Sequence, residues 1–180
     1  MKPFRTSLLL CLAGALTIGA VPALGQHPQT RKGFWFNGGL GWGSLGCSDC
    51  GGSRTGGLSG GLSLGGTISP TFLLGGGTSW WTKSEGGATL TVGTLDLRAR
   101  LYTSPKGGFF FTGGIGVGSI SAGFGGISAS ETGFGLVLGL GNDFRIARSV
   151  SLTPYFNIIG VKTSNSDANV VQLGLSVTTH

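Results

Sequence analysis

TGFGLVLGLGNDFR, residues 132–145, decides the fold. Phe134, Leu136, Leu138, Leu140 and Phe144 recur at alternate positions, and Gly133, Gly135, Gly139, Gly141 and Asp143 stand between them. A repeat of two is the period of an extended strand, whose successive side chains point to opposite faces. The chemistry of the two faces is the unusual part. One is bulky and apolar, and the other is almost bare.

The same contrast extends in both directions. Residues 33–45 set Phe34, Phe36, Leu40 and Trp42 against Asn37, Gly39, Gly41 and Gly43. Residues 57–69 set Leu58, Leu62, Leu64 and Ile68 against Ser59, Gly61, Ser63, Gly65 and Thr67, and residues 71–82 set Phe72, Leu74 and Trp80 against Gly75, Gly77 and Ser79. Residues 109–122, 150–161 and 169–179 repeat the pattern, the last with Val171, Leu173, Leu175 and Val177 opposite Gln172, Gly174, Ser176 and Thr178. Residues 88–102 are mixed: Leu95, Leu97, Ala99 and Leu101 oppose Asp96, Arg98 and Arg100, while Leu90 and Val92 fall in the other phase. A bulge near Gly93 is expected to reconcile them.

Eight such segments are an even number, and each is long enough to cross a bilayer at a tilt. Short turns are expected at Pro70, at 105–107 and at 148–149, with longer connections at 46–55, 83–87, 122–131 and 162–168. A soluble eight-stranded barrel with its apolar face inward is the alternative, and volume decides against it. The interior of eight strands is just wide enough for side chains to fill. Trp42, Trp80 and the phenylalanines belong outside, and the small residues line the lumen. Phe34, Phe36, Phe72, Phe109, Phe111 and Phe144 cluster toward one end of their strands, and Trp42, Trp80 and Phe134 toward the other, as two aromatic girdles. The fold class read from this pattern is all-β, an eight-stranded antiparallel up-and-down transmembrane barrel.

Composition agrees. Glycine reaches 38 residues without a Gly-X-Y period, which excludes collagen, and 39% hydrophobic against 10% charged residues argues against a disordered chain. The net charge of +6 is spread along the chain, so no basic patch suggests nucleic acid. Lys2 and Arg5 precede the apolar run SLLLCLAGALTI and a small-residue stretch ending in Ala23-Leu24-Gly25, which reads as a cleaved export signal. Cutting after Ala20 or Ala23 is an alternative, and Cys11 raises a lipoprotein reading that Leu10 and the short preceding run disfavour. The organisation expected is a signal peptide at 1–25, a periplasmic tail at 26–32 and a barrel at 33–180, with no peptidoglycan-binding domain after the last strand.

FWFNGGLGWG (34–43), TLDLRARLY (94–102) before a Pro-Gly turn and NVVQLGLSVTT (169–179) together make the chain resemble the small eight-stranded outer-membrane barrels, the family of the transmembrane domain of outer membrane protein A. The resemblance covers residues 33–180. It implies a bacterial outer-membrane location, insertion by the barrel-assembly machinery, and surrounding outer-membrane lipid and lipopolysaccharide. That machinery recognises a closing strand that usually ends in an aromatic; here His180 stands out of phase with Leu173, Leu175 and Val177.

Candidate site residues are few. Cys47 and Cys50, in a CSDC sequence, sit in the first outer connection, where a loop-closing disulfide is favoured over free thiols. No catalytic, cofactor-binding or metal-binding residue is expected. His27 and His180 both belong to the periplasmic end, away from the outer leaflet where a lipid-modifying enzyme would need its base. Asp96, Arg98, Arg100, Asp143 and Arg145 share the inward parity on the periplasmic half of their strands, and charge inside a low-dielectric wall requires pairing. They read as a salt-bridged plug, or alternatively as a selectivity constriction for a small anion. Above them the inward positions, including Trp81, Val137, Ile159, Val161 and Val170, are small or apolar and suggest a shallow vestibule. The expected function is a structural or surface-interaction barrel acting as a monomer, with a pore or hydrophobic conduit as the alternative and a lipid-modifying enzyme as the least favoured.

Overall fold

The computed structural model describes residues 31–47 and 53–180. The export signal, most of the tail, His27 and Cys50 lie outside the described residues, and the Cys47–Cys50 pairing with them. The described chain is β1 (Phe34–Cys47), β2 (Thr55–Ser69), β3 (Phe72–Glu85), β4 (Ala88–Tyr102), β5 (Phe109–Phe124), β6 (Ile127–Asn142), β7 (Phe144–Ala147), β8 (Val150–Lys162) and β9 (Asp167–Thr179). Each strand pairs antiparallel with its neighbour in sequence except β6 and β7, which form one stave interrupted at Asp143. Pairing of β1 with β9 and of β6 with β8 closes the sheet into a barrel of eight staves.

The two ends of the barrel differ. One end carries the turns after β2, after β4 and at 148–149. At the other, β3 and β4 meet through Gly86-Gly87 and β5 and β6 through Gly125-Gly126, all four with positive φ. Two-residue hairpins need that left-handed backbone, which glycine adopts without steric cost. The sequence reading assigned 83–87 and 122–131 to connections. The structure instead carries the strands to Glu85 and Phe124, because two such glycines close a hairpin by themselves.

Around the middle of the barrel the bulky set faces out. Leu95, Leu97, Ile115, Val117, Phe134 and Leu173 are all more than half exposed, while Asp96, Arg98, Arg100, Gln172 and Ser176 are buried inside. An apolar belt of this extent is far larger than any patch a soluble monomer exposes.

Near the hairpin end β3 to β6 reverse this sense. Below the level of Gly93 and Ser119 the outward residues are mainly apolar and the inward ones mainly glycine, polar or charged, with Leu73, Phe110 and Val137 as large apolar exceptions. Above it the outward residues are Thr82, Ser84, Thr89, Thr91, Ser119, Ser121, Ser128 and Ser130, and three cross-strand hydroxyl pairs link them: Thr82–Thr91 at 3.1 Å, Ser84–Thr89 at 2.8 Å and Ser121–Ser130 at 2.9 Å. The inward residues become Val92, Leu90, Ile120, Ala122 and Phe124. The bulge expected near Gly93 is absent: β3–β4 and β4–β5 pair in unbroken register through that residue. Leu90 and Val92 are out of phase with Leu95 and Leu97 because the surroundings change along the strand while the backbone does not. Register shifts occur elsewhere, between Thr67 and Ser69 and between Arg145 and Ala147.

Inside, large groups lie across glycines. A Cβ on Gly43 would stand 2.6 Å from the Trp81 ring, one on Gly57 2.7 Å from it, and one on Gly114 2.3 Å from an Asp96 carboxylate oxygen. Gly66, by contrast, is exposed and would meet nothing within 4 Å. Overpacking of this kind costs about 1–3 kcal/mol. Gly57→Val is therefore expected to lower the unfolding free energy of the barrel in lipid vesicles by that amount, obtained from urea titrations followed by tryptophan fluorescence, while Gly66→Ala stays within about 0.5 kcal/mol of the parent. Equal effects of the two would show that the lumen has slack.

Candidate functional site

The lumen is filled in layers. At the turn end, Asp143 occupies the break between β6 and β7 with its carboxylate fully buried. Tyr102 donates its hydroxyl to Oδ2 at 2.8 Å, Thr153 donates to Oδ1 at 2.6 Å, and His180 Nε2 lies 3.3 Å from Oδ2. Arg31 closes this layer from below. Its guanidinium lies 3.3 Å from the centre of the Tyr102 ring and donates to the carbonyl oxygens of Pro70 at 3.2 Å, Ser104 at 3.5 Å, Pro105 at 3.4 Å and Gly107. One side chain from before the first strand thus ties the β2–β3 turn to the β4–β5 turn.

The next layer is aromatic. Trp35, Leu73, Tyr102 and Phe110 pack together, and the Arg100 guanidinium lies 4.9 Å from both the Trp35 and the Phe110 rings. Above it comes a polar layer. Arg98 grips Asp96 with two parallel bonds, Nε to Oδ1 at 2.7 Å and Nη2 to Oδ2 at 2.6 Å, the fork geometry that favours guanidinium–carboxylate pairs. Ser79 accepts from Arg98 at 3.1 Å, and Thr94 donates to Asp96 at 3.2 Å. Asn37 donates to Ser176 and Thr178 of the neighbouring β9, and Asn157 donates to Gln172, its pairing partner on β9. The void left in this layer measures about 30 Å³.

A dry layer follows. Leu45, Trp81, Val92, Val137, Ile159, Val161, Ala168 and Val170 form one buried cluster, and the Trp81 indole donates to Gly43 O at 3.0 Å. On top of Trp81 the inverted faces of β3 to β6 enclose a cup of about 700 Å³, walled by Leu90, Ala122, Phe124, Ile127 and Ala129. Lys83 and Glu85 pair at its rim at 2.6 Å.

Of the five residues expected to form the lumen charge cluster, Asp96, Arg98, Arg100 and Asp143 are buried inside. Arg145 is half-buried at the turn-end rim, where it donates to Ala147 O at 3.2 Å and to Arg148 O. Its strand is displaced by the break at Asp143 and ends two residues later, so its side chain turns to the local carbonyls. The second guanidinium beside Asp143's layer comes from Arg31, which the sequence reading placed in a tail. Trp35 and Phe110 were also unassigned. Each shares the parity of Asn37 or Thr112, which was the available signal, but each is flanked by outward phenylalanines that hide it. Among the described residues no group of three histidine, cysteine or carboxylate side chains is placed to hold a metal ion.

The fold has known counterparts. Neisserial surface protein A superposes with a TM-score of 0.68 at 14% identity, over 84% of this chain and 99% of its own. Ail, the attachment invasion locus protein of Yersinia pestis, solved with the heparin analogue sucrose octasulfate, gives 0.61 at 12% identity, over 83% and 99%. The N-terminal barrel domain of Pseudomonas aeruginosa OprF gives 0.51 at 11% identity, over 83% and 99%. No curated protein matches by sequence. The outer membrane protein beta-barrel domain family matches residues 10–178, nearly the whole chain, and the closed barrel with its apolar belt is the structure that match requires: the chain belongs to that family of membrane-spanning outer-membrane barrels.

Proposed function

We propose that the chain is a surface-interaction barrel with a closed lumen, oriented with its hairpin end outside the cell. The observation that carries this is the stacking of three sealed layers: Trp35 with Phe110, Arg98 with Asp96, and Trp81 with its apolar neighbours. A solute path would have to displace all three. The short-turn end then faces the periplasm, as such turns do in barrels of this kind. Outer-membrane lipid surrounds the belt, lipopolysaccharide meets the hydroxyl-bearing outer wall, and the barrel works as a monomer inserted by the assembly machinery.

Two proteins of the same fold are named for the cell surface or for attachment, which supports an outward-facing role. A heparin-like polyanion is a poor fit for this rim. Lys83 pairs with Glu85, Lys162 with Asp167, and Arg54 is held by Ser44 and Asn169.

The cup favours a second reading, in which the outer mouth takes up a hydrophobic molecule. Its volume of about 700 Å³ lies within the range of small-molecule sites. Its walls are aliphatic and aromatic, and its floor is the closed Trp81 layer.

Purified protein in a planar bilayer is expected to give no single-channel steps. Arg98→Ala is expected to give none either, since the layers above and below remain, although it strands Asp96 at a cost of about 3–5 kcal/mol in stability. Discrete steps in the parent, altered by Arg98→Ala, would establish a pore and end the closed-lumen reading. For the cup, N-phenyl-1-naphthylamine fluorescence with nanodisc-embedded protein should rise above the empty-disc level and return to it in Ala122→Glu/Ile127→Glu. An unchanged signal in that double variant would remove the second reading.

A further inference from the structure

Arg100 is a buried guanidinium that makes no direct contact with a carboxylate among the described residues. Among the described residues the buried cations Arg31, Arg98 and Arg100 face two buried carboxylates, Asp96 and Asp143. Asp96 is taken by Arg98 through both oxygens. Asp143 already receives Tyr102, Thr153 and His180, and its one charge is shared at electrostatic range by Arg31 and Arg100. Arg100 itself makes one weak hydrogen bond, Nη2 to Ser63 Oγ at 3.3 Å. Its two ring neighbours offset part of its desolvation. Its Nε and Nη1 are fully buried and donate to nothing.

Arg100 lines the void of about 30 Å³ in the polar layer, and so do Tyr155 and Asn157. The Tyr155 hydroxyl and Asn157 Oδ1 are likewise buried without partners. Such a space has room for about two water-sized occupants. It offers the N–H donors of a cation without a carboxylate contact, a hydroxyl that can donate, and one amide oxygen that needs a donor in return.

We propose that this cavity holds one monovalent, monatomic anion, chloride in ordinary media, bound by the Nε–H and Nη1–H of Arg100 and the hydroxyl of Tyr155, with a water bridging to Asn157 Oδ1. Two waters could satisfy the hydrogen bonds but would leave three buried guanidiniums sharing two carboxylates, an excess of positive charge that a low-dielectric interior disfavours. The small volume excludes polyatomic anions such as gluconate. The site rests on the closed-lumen reading, because bulk water in an open lumen would screen Arg100.

The test compares thermal unfolding of the intact barrel in lipid nanodiscs in sodium chloride, sodium bromide and sodium gluconate at matched ionic strength. A ligand bound only by the folded state raises the midpoint with the logarithm of its concentration once that exceeds the dissociation constant. The expected result is a rise of several degrees in either halide over gluconate, growing with the logarithm of halide concentration, with a bromide anomalous peak beside Arg100 in crystals grown from bromide. Arg100→Met should abolish the halide dependence. Tyr155→Phe, which leaves the guanidinium in place, should shift the dependence to higher halide concentration, and serves if the methionine variant fails to fold. Equal midpoints in halide and gluconate with no bromide peak would overturn the proposal and leave water as the occupant. Bilayer recording of the same sample separates that failure from an open lumen, which would show itself as conductance.

Discussion

Eight staves enclose a space about one side chain wide, and everything else in this barrel follows from that narrowness. A large inward group has room only where the strands beside it carry no side chain into its path. Trp81 lies against Gly43 and Gly57, Asp96 against Gly114, and Phe110 against Gly141. The glycine content is therefore the mould of the lumen. It also explains why the interior is layered instead of mixed: each inward giant claims its glycines at one level, and the next giant must sit at another.

The layers differ in chemistry because they answer different demands. The Arg98–Asp96 pair is neutral as a unit and has its remaining valences met by Ser79 and Thr94. The Arg100 layer relies on aromatic faces, which offer a cation attraction without a partner charge. At the turn end, Asp143 takes the place of a strand residue in a gap between two strands and draws Tyr102, Thr153 and His180 onto itself. A polar core of this sort specifies register, since slipping any stave by one residue would turn its partners outward into lipid.

Most of the barrel was legible in the chain because lipid and lumen impose opposite sizes on alternate residues. Phe134, Leu136 and Leu138 against Gly133 and Gly135 could be read without any knowledge of partners. What escaped had a physical cause in each instance. Leu90 and Val92 looked misplaced because a period of two assigns faces but says nothing about what each face touches, and the outside of β4 changes from lipid to water near Gly93. Arg31 was invisible because it reaches its carbonyl partners from outside any strand, with no periodicity to place it. Trp35 and Phe110 were masked by equally large neighbours of opposite parity. The charge cluster could be read from parity, but the departure of Arg145 could not, since it depends on the break beside Asp143.

The Gly86-Gly87 and Gly125-Gly126 hairpins carry a consequence for how this wall can change in length. Because each ends in two residues with no loop to absorb slack, the strands are in register up to their tips. Adding one residue to one strand would exchange its faces, turning the serines and threonines inward and Phe124 or Ile127 toward the surroundings. Only insertions of two residues in each of the paired strands keep the greasy lining in and the hydroxyl coat out. The height of the wall is in this sense counted in whole steps, and drift in its length is confined to them.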